Sequence, residues 1–242
     1  MDALKYKRIL LKLSGESLCE KGGFGIDGEQ AKATAQRILE ICKAGAQVSI
    51  VVGGGNLLRG AAFSQEAKLI PRATADYMGM LATVMNATAL CETLKSIGQP
   101  AKVLSAIPVE AINEPFVREK AISYLEEGQV IILAGGTGNP FFSTDTCAAL
   151  RACQIEADMI VKATKVDGVY TADPMKDPSA ELIKKITYQD IVSKDLKVID
   201  HAAMTLCREN NIPVRVLNMF KGDDIIRAVK GEDIGTIISD NG

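Results

Sequence analysis

The sequence predicts an α/β protein in which a mostly parallel sheet is covered by helices on both faces. Short buried runs such as Gln47–Val52 and Val130–Ala134 alternate with longer stretches of helical periodicity. Parallel strands need crossover connections, and this alternation supplies them. Three of the runs also end in glycines or small residues, which is typical of strands whose carboxyl ends border a ligand site.

The strands are predicted from short apolar or β-branched runs. They are Tyr6–Leu13, Gln47–Val52, Ala101–Ala106, Val130–Ala134, Met159–Lys162, Val169–Thr171, Val214–Leu217 and Thr236–Ser239. Turn signals at Asp167-Gly168, Asp173-Pro174 and Asp177-Pro178 frame the Val169–Thr171 run.

The helices are predicted from apolar periodicity and from end signals. In the first, Asp27 is placed to cap, Gln30 follows three residues later, and Gly45 ends the pattern. The full set is Asp27–Ala44, Pro71–Ile97, Glu114–Glu127, Thr144–Gln154, Asp200–Asn210 and Asp223–Val229. No linker or internal repeat divides the chain, so residues 1–242 are interpreted as a single domain.

Composition excludes several functional classes. Charged residues interrupt every long apolar run before the ~18 residues that suggest a membrane span, and the start MDALKYKR lacks the apolar region of a signal peptide. The net charge of -2 argues against a general nucleic-acid binder. None of the six cysteines shows C-x-x-C spacing, so they are interpreted as reduced packing residues of a cytoplasmic protein.

Three strand ends share a layout that suits phosphate groups. They are Lys12-Leu13-Ser14-Gly15, Gly53-Gly54-Gly55-Asn56 with Arg59, and Gly135-Gly136-Thr137-Gly138 with Thr144. Strand carboxyl ends lie along one edge of a parallel sheet, so these segments are expected to meet in one crevice. Glycine-rich backbone, one lysine and one arginine there favour a polyphosphate or two adjacent phosphates.

Alternatives remain open at this point. Lys12 ends an apolar strand, so it either meets an anionic partner or reaches water at the sheet edge. The P-loop pattern is absent, and G-x-G-x-x-G occurs only at Gly23–Gly28, ten residues beyond the first strand. A dinucleotide site there is the minority interpretation, as is a glycine-rich connection without a ligand at residues 135–138.

The chain offers few groups for acid–base or nucleophilic catalysis. His201, the only histidine, follows Asp200 at a helix start and is interpreted as a capping or surface residue. Phosphoryl transfer to an ionised acceptor needs positioning and charge neutralisation but no protein base. Phosphate-binding loops without a histidine therefore fit phosphoryl transfer to a phosphomonoester. The second pKa of such an acceptor is near ~6, so it is already ionised at neutral pH.

Five motifs in order give the chain a family resemblance. They are KRILLKLSGES (7–17), VVGGGNLLRG (51–60), DYMGMLATVMNA (76–87), GTGNPFFSTD (136–145) and VKATKVDGVYTADP (161–174). The chain resembles the bacterial uridylate kinases, a branch of the amino-acid kinase family, along its whole length. The resemblance implies a three-layer α/β/α sandwich that transfers a phosphoryl group from ATP to UMP in pyrimidine nucleotide synthesis.

The resemblance also implies roles for individual residues. It implies catalytic roles for Lys12, Asp145 and Lys162. It implies ATP contacts at Lys12, Leu13, Ser14, Gly15, Gly55, Arg59, Thr164, Tyr170 and Asp173, with Lys165 close to the phosphates. It implies UMP contacts at Gly54, Asp76, Thr137, Gly138, Asn139, Pro140, Phe141, Phe142, Ser143 and Thr144. The N-terminal part would thus bind mainly UMP and the C-terminal part mainly ATP.

Cofactor, assembly and regulation are implied in the same way. Mg²⁺ is expected with ATP, although its protein ligands are not assigned, and a homohexamer is expected. GTP activation is implied through the loop residues Glu20, Lys21, Gly22, Gly23, Phe24 and Gly25, and UTP inhibition is a family trait. Two competing hypotheses remain: a kinase for carbamate or an acylated amino acid, and a nucleotide-sensing regulator with an inactive site.

Overall fold

The computed structural model describes residues 4–20, 22–58, 70–172, 174, 176–177, 179–194, 196 and 198–240. The strands are β1 Arg8–Leu13, β2 Gln47–Val52, β3 Ala101–Ser105, β4 Glu114–Pro115, β5 Val130–Ala134, β6 Met159–Thr164, β7 Val169–Tyr170, β8 Leu182–Ile183, β9 Lys185–Ile186, β10 Val214–Asn218 and β11 Thr236–Ile238. The helices are α1 Gly28–Lys43, α2 Arg72–Ser96, α3 Arg118–Glu126, α4 Thr144–Gln154, α5 Tyr188–Ser193, α6 His201–Glu209 and α7 Asp224–Val229, with a 3-10 turn at Gly15–Leu18.

The central sheet is mostly parallel, as predicted. Its order is β4-β3-β5-β2-β1-β6-β10-β11-β9, and the β10–β11 pair is its antiparallel neighbour pair among the described strands. Strands β5, β2, β1 and β6 are therefore consecutive in the sheet and point the same way. Their carboxyl ends share one edge, where the three glycine-containing segments begin.

Helices cover both faces of the sheet and make the fold a three-layer sandwich. Along β1, Ile9 and Leu11 face a core formed with α1, α2 and α7, whereas Leu10 faces a core formed with α3, α4 and α6. This alternation follows from the two-residue period of a strand. Because both faces are buried, the strand reads as an almost uninterrupted apolar run.

The predicted helix Glu114–Glu127 is wrong at its start. Glu114–Pro115 instead forms β4 and pairs with Leu104 and Ser105 at the sheet edge. A residue that precedes proline is sterically biased away from helical geometry, so the helix is delayed until Arg118. The short elements β8, β9 and α5 carried no strong sequence pattern and were not predicted.

Helix α2 is apolar on more than its core side. Met80, Val84 and Leu90 are buried against the sheet, but Leu81 is 46% exposed and Met85 is 57% exposed. One side of this helix therefore belongs to the core, and the other side lies at the surface. Of the helices that the structure describes, none combines the length and apolarity needed to cross a membrane.

Candidate active site

The carboxyl ends of β1, β2, β5 and β6 bring the predicted phosphate-binding segments together. Lys12 stands opposite Val51 of β2 and Lys162 of β6 in the strand register. The loop after β2 begins at Gly53, and the loop after β5 begins at Gly135, on neighbouring strands. The predicted single crevice is thus formed by adjacent strand ends.

Two lysines converge on one carboxylate in this crevice. Lys12 Nζ lies 3.0 Å from Asp145 Oδ1, and Lys162 Nζ lies 2.6 Å from Asp145 Oδ2. The side chains of Lys12, Asp145 and Lys162 are 14%, 17% and 17% exposed, so the cluster is largely desolvated yet open to the crevice. Of the two interpretations of Lys12, the structure supports the one with an anionic partner.

Burial weakens the protonation of Lys162. It lowers the pKa of the ammonium, the charge of Asp145 opposes the shift, and the charge of Lys12 adds to it. Lys162 also donates a hydrogen bond to the backbone carbonyl of Val198. Asp145 therefore opposes the deprotonation of Lys162 and is the carboxylate shared by both lysines.

Asp145 is held in position by the start of α4. Ser143 caps this helix, and its Oγ accepts hydrogen bonds from the N–H groups of Asp145 at 3.0 Å and Thr146 at 3.1 Å. An acidic side chain in the first turn is favoured by the helix dipole. Ser143 was predicted as a UMP contact, and the structure gives it this capping role as well.

A second carboxylate, Asp200, supports the first. It accepts hydrogen bonds from the Ser143 hydroxyl and from Thr146 Oγ1, and it caps α6 through the N–H of Ala203 at 2.9 Å. Burial alone would raise the pKa of Asp200, but these donors outweigh it and hold the pKa below its ordinary value. Asp200 thus connects the starts of α4 and α6.

Next to the lysine pair lies a cavity of about 200 Å³. Its lining contains seven of the ten residues that the resemblance implies for UMP: Gly54, Asp76, Thr137, Asn139, Phe142, Ser143 and Thr144. Gly138, Pro140 and Phe141 are not in the lining, although they belong to the same loop. The predicted acceptor segment and the start of α2 therefore form opposite walls of one cavity.

Asp76 joins these two walls. Its Oδ2 accepts a hydrogen bond from the backbone N–H of Phe141 at 2.9 Å, and its Oδ1 pairs with Arg72 Nε at 2.8 Å. Phe141 is not a glycine but has a φ of 71°, a conformation that side chains disfavour. The contact with Asp76 helps to hold the loop in this conformation.

Close packing accounts for two of the predicted ligand-binding glycines. A Cβ on Gly54 would lie 2.8 Å from Gly79 O, and one on Gly15 would lie 2.2 Å from Asn56 Oδ1. Both positions therefore require glycine whether or not a phosphate approaches. Thr83 adds a further link, since its hydroxyl accepts from the N–H of Gly135 at 2.9 Å.

A buried amide pair fixes the loop after β2. Asn86 Nδ2 donates to Gly53 O and to Asn56 Oδ1, each at 2.7 Å. Asn56 Nδ2 in turn donates to Gly25 O at 2.7 Å, and Gly25 N donates to Asn56 O at 3.0 Å. These bonds attach the predicted regulatory loop to the loop after β2, which is predicted to face ATP. The other described residues of the regulatory loop, Glu20, Gly22, Gly23 and Phe24, come before Gly25 in the chain, and Phe24 is strongly exposed.

The remaining predicted ATP contacts are only partly described. Thr164 ends β6 and donates to Val166 O at 2.6 Å, while Tyr170 lies on β7 opposite Leu182. Lys165 forms a 2.6 Å ion pair with Glu16 of the 3-10 turn that follows β1. Arg59, Asp173 and the loop residue Lys21 lie outside the described residues.

Sequence reasoning missed the hydrogen-bonding residues behind the site. Thr83 and Asn86 of α2 bind the loops after β5 and β2, and Asp200, before α6, binds Ser143 and Thr146 at the start of α4. Only Asp200 carried a local signal, as an acid before a helix, and that signal predicted capping alone. His201 begins α6 and is exposed, as expected, and Asp200 is the residue that caps.

The chain matches the amino acid kinase family model over residues 7–218. It is 48% identical over 233 residues to a uridylate kinase of Methylococcus capsulatus, covering 96% of this chain and 97% of that protein. The crystal structure of a UMP kinase from Bacillus anthracis matches with a TM-score of 0.93 at 37% identity, over 98% of this chain and 97% of the other. That of a UMP kinase from Ureaplasma parvum matches with a TM-score of 0.89 at 36% identity, over 98% and 100%.

Proposed function

Because the chain belongs to the amino acid kinase family, we propose from its candidate site how it carries out the activity of a uridylate kinase. The reaction transfers the terminal phosphoryl group of ATP to the phosphate of UMP and gives ADP and UDP. The observation that carries the proposal is the Lys12–Asp145–Lys162 cluster beside the cavity predicted to accept UMP.

The two lysines stabilise the charge of the transferred group. In phosphoryl transfer, negative charge is spread over the phosphoryl oxygens between the attacking and leaving oxygens, and fixed cations stabilise it. Asp145 holds both ammonium groups next to each other before the substrates enter. The phosphate of UMP is mostly a dianion near neutral pH and attacks without a protein base.

UMP is proposed to bind in the cavity between the loop after β5 and the start of α2. Asp76 is the group proposed to accept a hydrogen bond from the ribose. Each of its oxygens already has one donor, Arg72 or Phe141, and a carboxylate offers about four acceptor positions, so a ribose hydroxyl can be added. Thr137, Asn139 and Phe142 would contact the remainder of the nucleotide.

ATP is proposed to bind on the C-terminal side of the crevice. Support comes from the position of Thr164 and Tyr170 beyond β6, next to the strand end that carries Lys162. Residues 12–15 and Gly55 would contact the phosphates of ATP. Arg59 and Asp173 remain in this proposal on the resemblance alone.

Mg²⁺ is proposed to enter with ATP and to neutralise phosphate charge. A nucleotide-bound Mg²⁺ takes most of its ligands from phosphates and water and needs only one or two carboxylates. Among the described residues, Asp145 and Asp200 are two carboxylates that lie at this edge of the sheet. In the described part of the chain, no cluster of three or more His, Cys, Asp or Glu side chains offers a complete protein site.

Self-association is proposed through the outer face of α2. Tyr77, Leu81 and Met85 follow one another every four residues, so they form one exposed apolar stripe, with exposures of 44%, 46% and 57%. Such a stripe is typical of an interface, and a homohexamer is the proposed assembly.

Regulation and location extend the proposal. The attachment of Gly25 to Asn56 supports GTP activation through residues 20–25, since it connects that loop to the predicted phosphate loop. UTP inhibition rests on the resemblance alone. The six free cysteines, four of them buried, support a reducing, cytoplasmic location.

One assay separates the candidate reactions. ADP release from ATP is measured with UMP, CMP, carbamate or N-acetylglutamate as acceptor. Release with UMP alone is expected. Release with carbamate or N-acetylglutamate and none with UMP would favour the competing small-acceptor kinase, and no release with any acceptor would favour the inactive regulator.

A further inference from the structure

A separate cavity of about 430 Å³ lies at the edge of the sheet opposite the crevice. It is lined by residues that precede β1 and β10, such as Tyr6 and Pro213, and by residues that follow β9 and β11, such as Tyr188 and Asp240. Since β11 runs against β10, its end returns to the edge where β10 begins. None of the residues assigned above to ATP or UMP belongs to this cavity.

A buried arginine forms part of the cavity wall. Arg215 of β10 is 2% exposed, Nη1 donates to Ile234 O at 3.0 Å, and Nε has no hydrogen-bond partner among the described residues. No carboxylate of the described residues forms an ion pair with it. A buried charge without a counter-ion is costly, and arginine does not escape the cost by losing its proton.

The surroundings leave this charge only partly compensated. Burial lowers the pKa of Arg215, and the shift is opposed by Tyr6, which also hydrogen-bonds the guanidinium, and by the charge of Asp233. Of the three acidic residues in the lining, Asp233 is the one whose charge acts on Arg215, whereas Asp190 accepts a hydrogen bond from Thr187 Oγ1 at 2.9 Å and Asp240 accepts one from the N–H of Tyr188 at 3.1 Å. An anion in the cavity would supply the missing negative charge.

The outer lining suits an anion that carries an apolar group. Lys5, Lys185 and Arg208 provide three further cations, and Ile212, Pro213 and Ile237 provide apolar surface. The volume lies within the range of about 300–1,000 Å³ typical of small-molecule sites. Lysine and arginine together are the usual partners of phosphate groups.

We propose that this cavity is a second ligand site, distinct from the crevice, for a small organic phosphate. The phosphate lies among Lys185, Arg208 and the charge of Arg215, and its organic part packs on Ile212 and Ile237. The site is independent of the chemistry proposed at Lys12 and Lys162.

Calorimetric titration tests the proposal. The crevice is first saturated with an adenosine–uridine pentaphosphate bisubstrate analogue, and phenyl phosphate, inorganic phosphate and phenol are then titrated in turn. Phenyl phosphate is expected to bind more tightly than inorganic phosphate, and phenol is expected not to bind. Tighter binding of inorganic phosphate would overturn the organic part of the proposal, and failure of both anions to bind would overturn it entirely.

Surface variants locate the binding. Lys185→Ala with Arg208→Ala should weaken phenyl phosphate binding by about tenfold or more, because charge-assisted hydrogen bonds are lost. Lys32→Ala with Lys43→Ala removes the same charge from exposed positions on α1 and should change nothing. Equal affinity in both double variants would contradict the proposed location. Arg215→Met should abolish binding while the fold and UMP turnover persist; if it unfolds, the surface variants still decide.

Discussion

Lys12 and Asp145 form a 3.0 Å ion pair between the end of β1 and the first turn of α4, 133 residues apart in the chain. The pair places a fixed positive charge at the sheet edge next to the predicted acceptor cavity. The second carboxylate oxygen of Asp145 also binds Lys162, so one carboxylate sets the position of two cations. The first two predictions concern this cluster.

Replacing Lys12 removes one of the two cations proposed to stabilise the transferred group. Lys12→Ala should lower kcat by about 10²-fold or more, the scale of losing one transition-state donor. Steady-state kinetics with UMP and ATP measure it, and Lys43→Ala serves as a control for loss of a surface lysine. Near-normal turnover of Lys12→Ala would remove Lys12 from the mechanism.

Replacing Asp145 should change the pH dependence of turnover as well as its size. Asp145→Asn removes the charge that opposes the lowering of the Lys162 pKa, so that pKa should fall further. Because the proposed mechanism uses protonated Lys162, the alkaline limb of the kcat profile should move to lower pH. A profile that keeps its alkaline limb while kcat falls would show that Asp145 acts by another route.

Replacing Asp76 should affect the acceptor side. Asp76→Asn should raise the KM for UMP by about tenfold, as expected when hydrogen bonds to a charged acceptor are weakened, with the KM for ATP unchanged. Arg72→Gln is the matched control, because it removes the exposed partner of the same carboxylate and should have a small effect. An effect confined to ATP would mean that the two subsites are exchanged.

Replacing Asp200 should weaken the fold in a pH-dependent way. The folded-state pKa lies below the unfolded value of about 3.9, so the stabilisation is present above that value and is lost as pH falls through the folded pKa. Asp200→Asn should cost about 1 kcal/mol or more at pH 7 and less in acid. Urea unfolding at pH 7 and at a pH below the folded-state pKa measures the lost free energy of unfolding. An equal loss at the two pH values would contradict the pKa argument.

Replacing the α2 stripe should dissociate the assembly. Leu81→Glu with Met85→Glu places two charges in an apolar interface, and light scattering should then report a lower mass. Glu92→Gln on the same helix is the control and should leave the mass unchanged. An unchanged mass in the double glutamate variant would exclude this face as the interface.

The sequence predicted the sheet and the edge that carries the site because both depend on local patterns. The runs Gln47–Val52 and Val130–Ala134 match β2 and β5 residue for residue. The Asp27 cap is also observed, with Gln30 N bonded to its Oδ1 at 2.9 Å. The error at Glu114–Glu127 arose where pairing at the sheet edge and the following proline outweighed helical periodicity.

The sequence by itself determined the α/β/α fold, the crevice at the strand ends and the place of Lys12 at the end of β1, since glycine loops and buried strands are encoded over a few neighbouring residues. Only the tertiary structure decided that Asp145 joins Lys12 to Lys162, that Asp76 holds Phe141, and that Asp200 supports Ser143. These contacts connect residues more than fifteen positions apart in the chain, and in the Lys12 and Asp76 cases more than sixty. Their geometry arises from the packing of whole helices on the sheet, so no local pattern reports it.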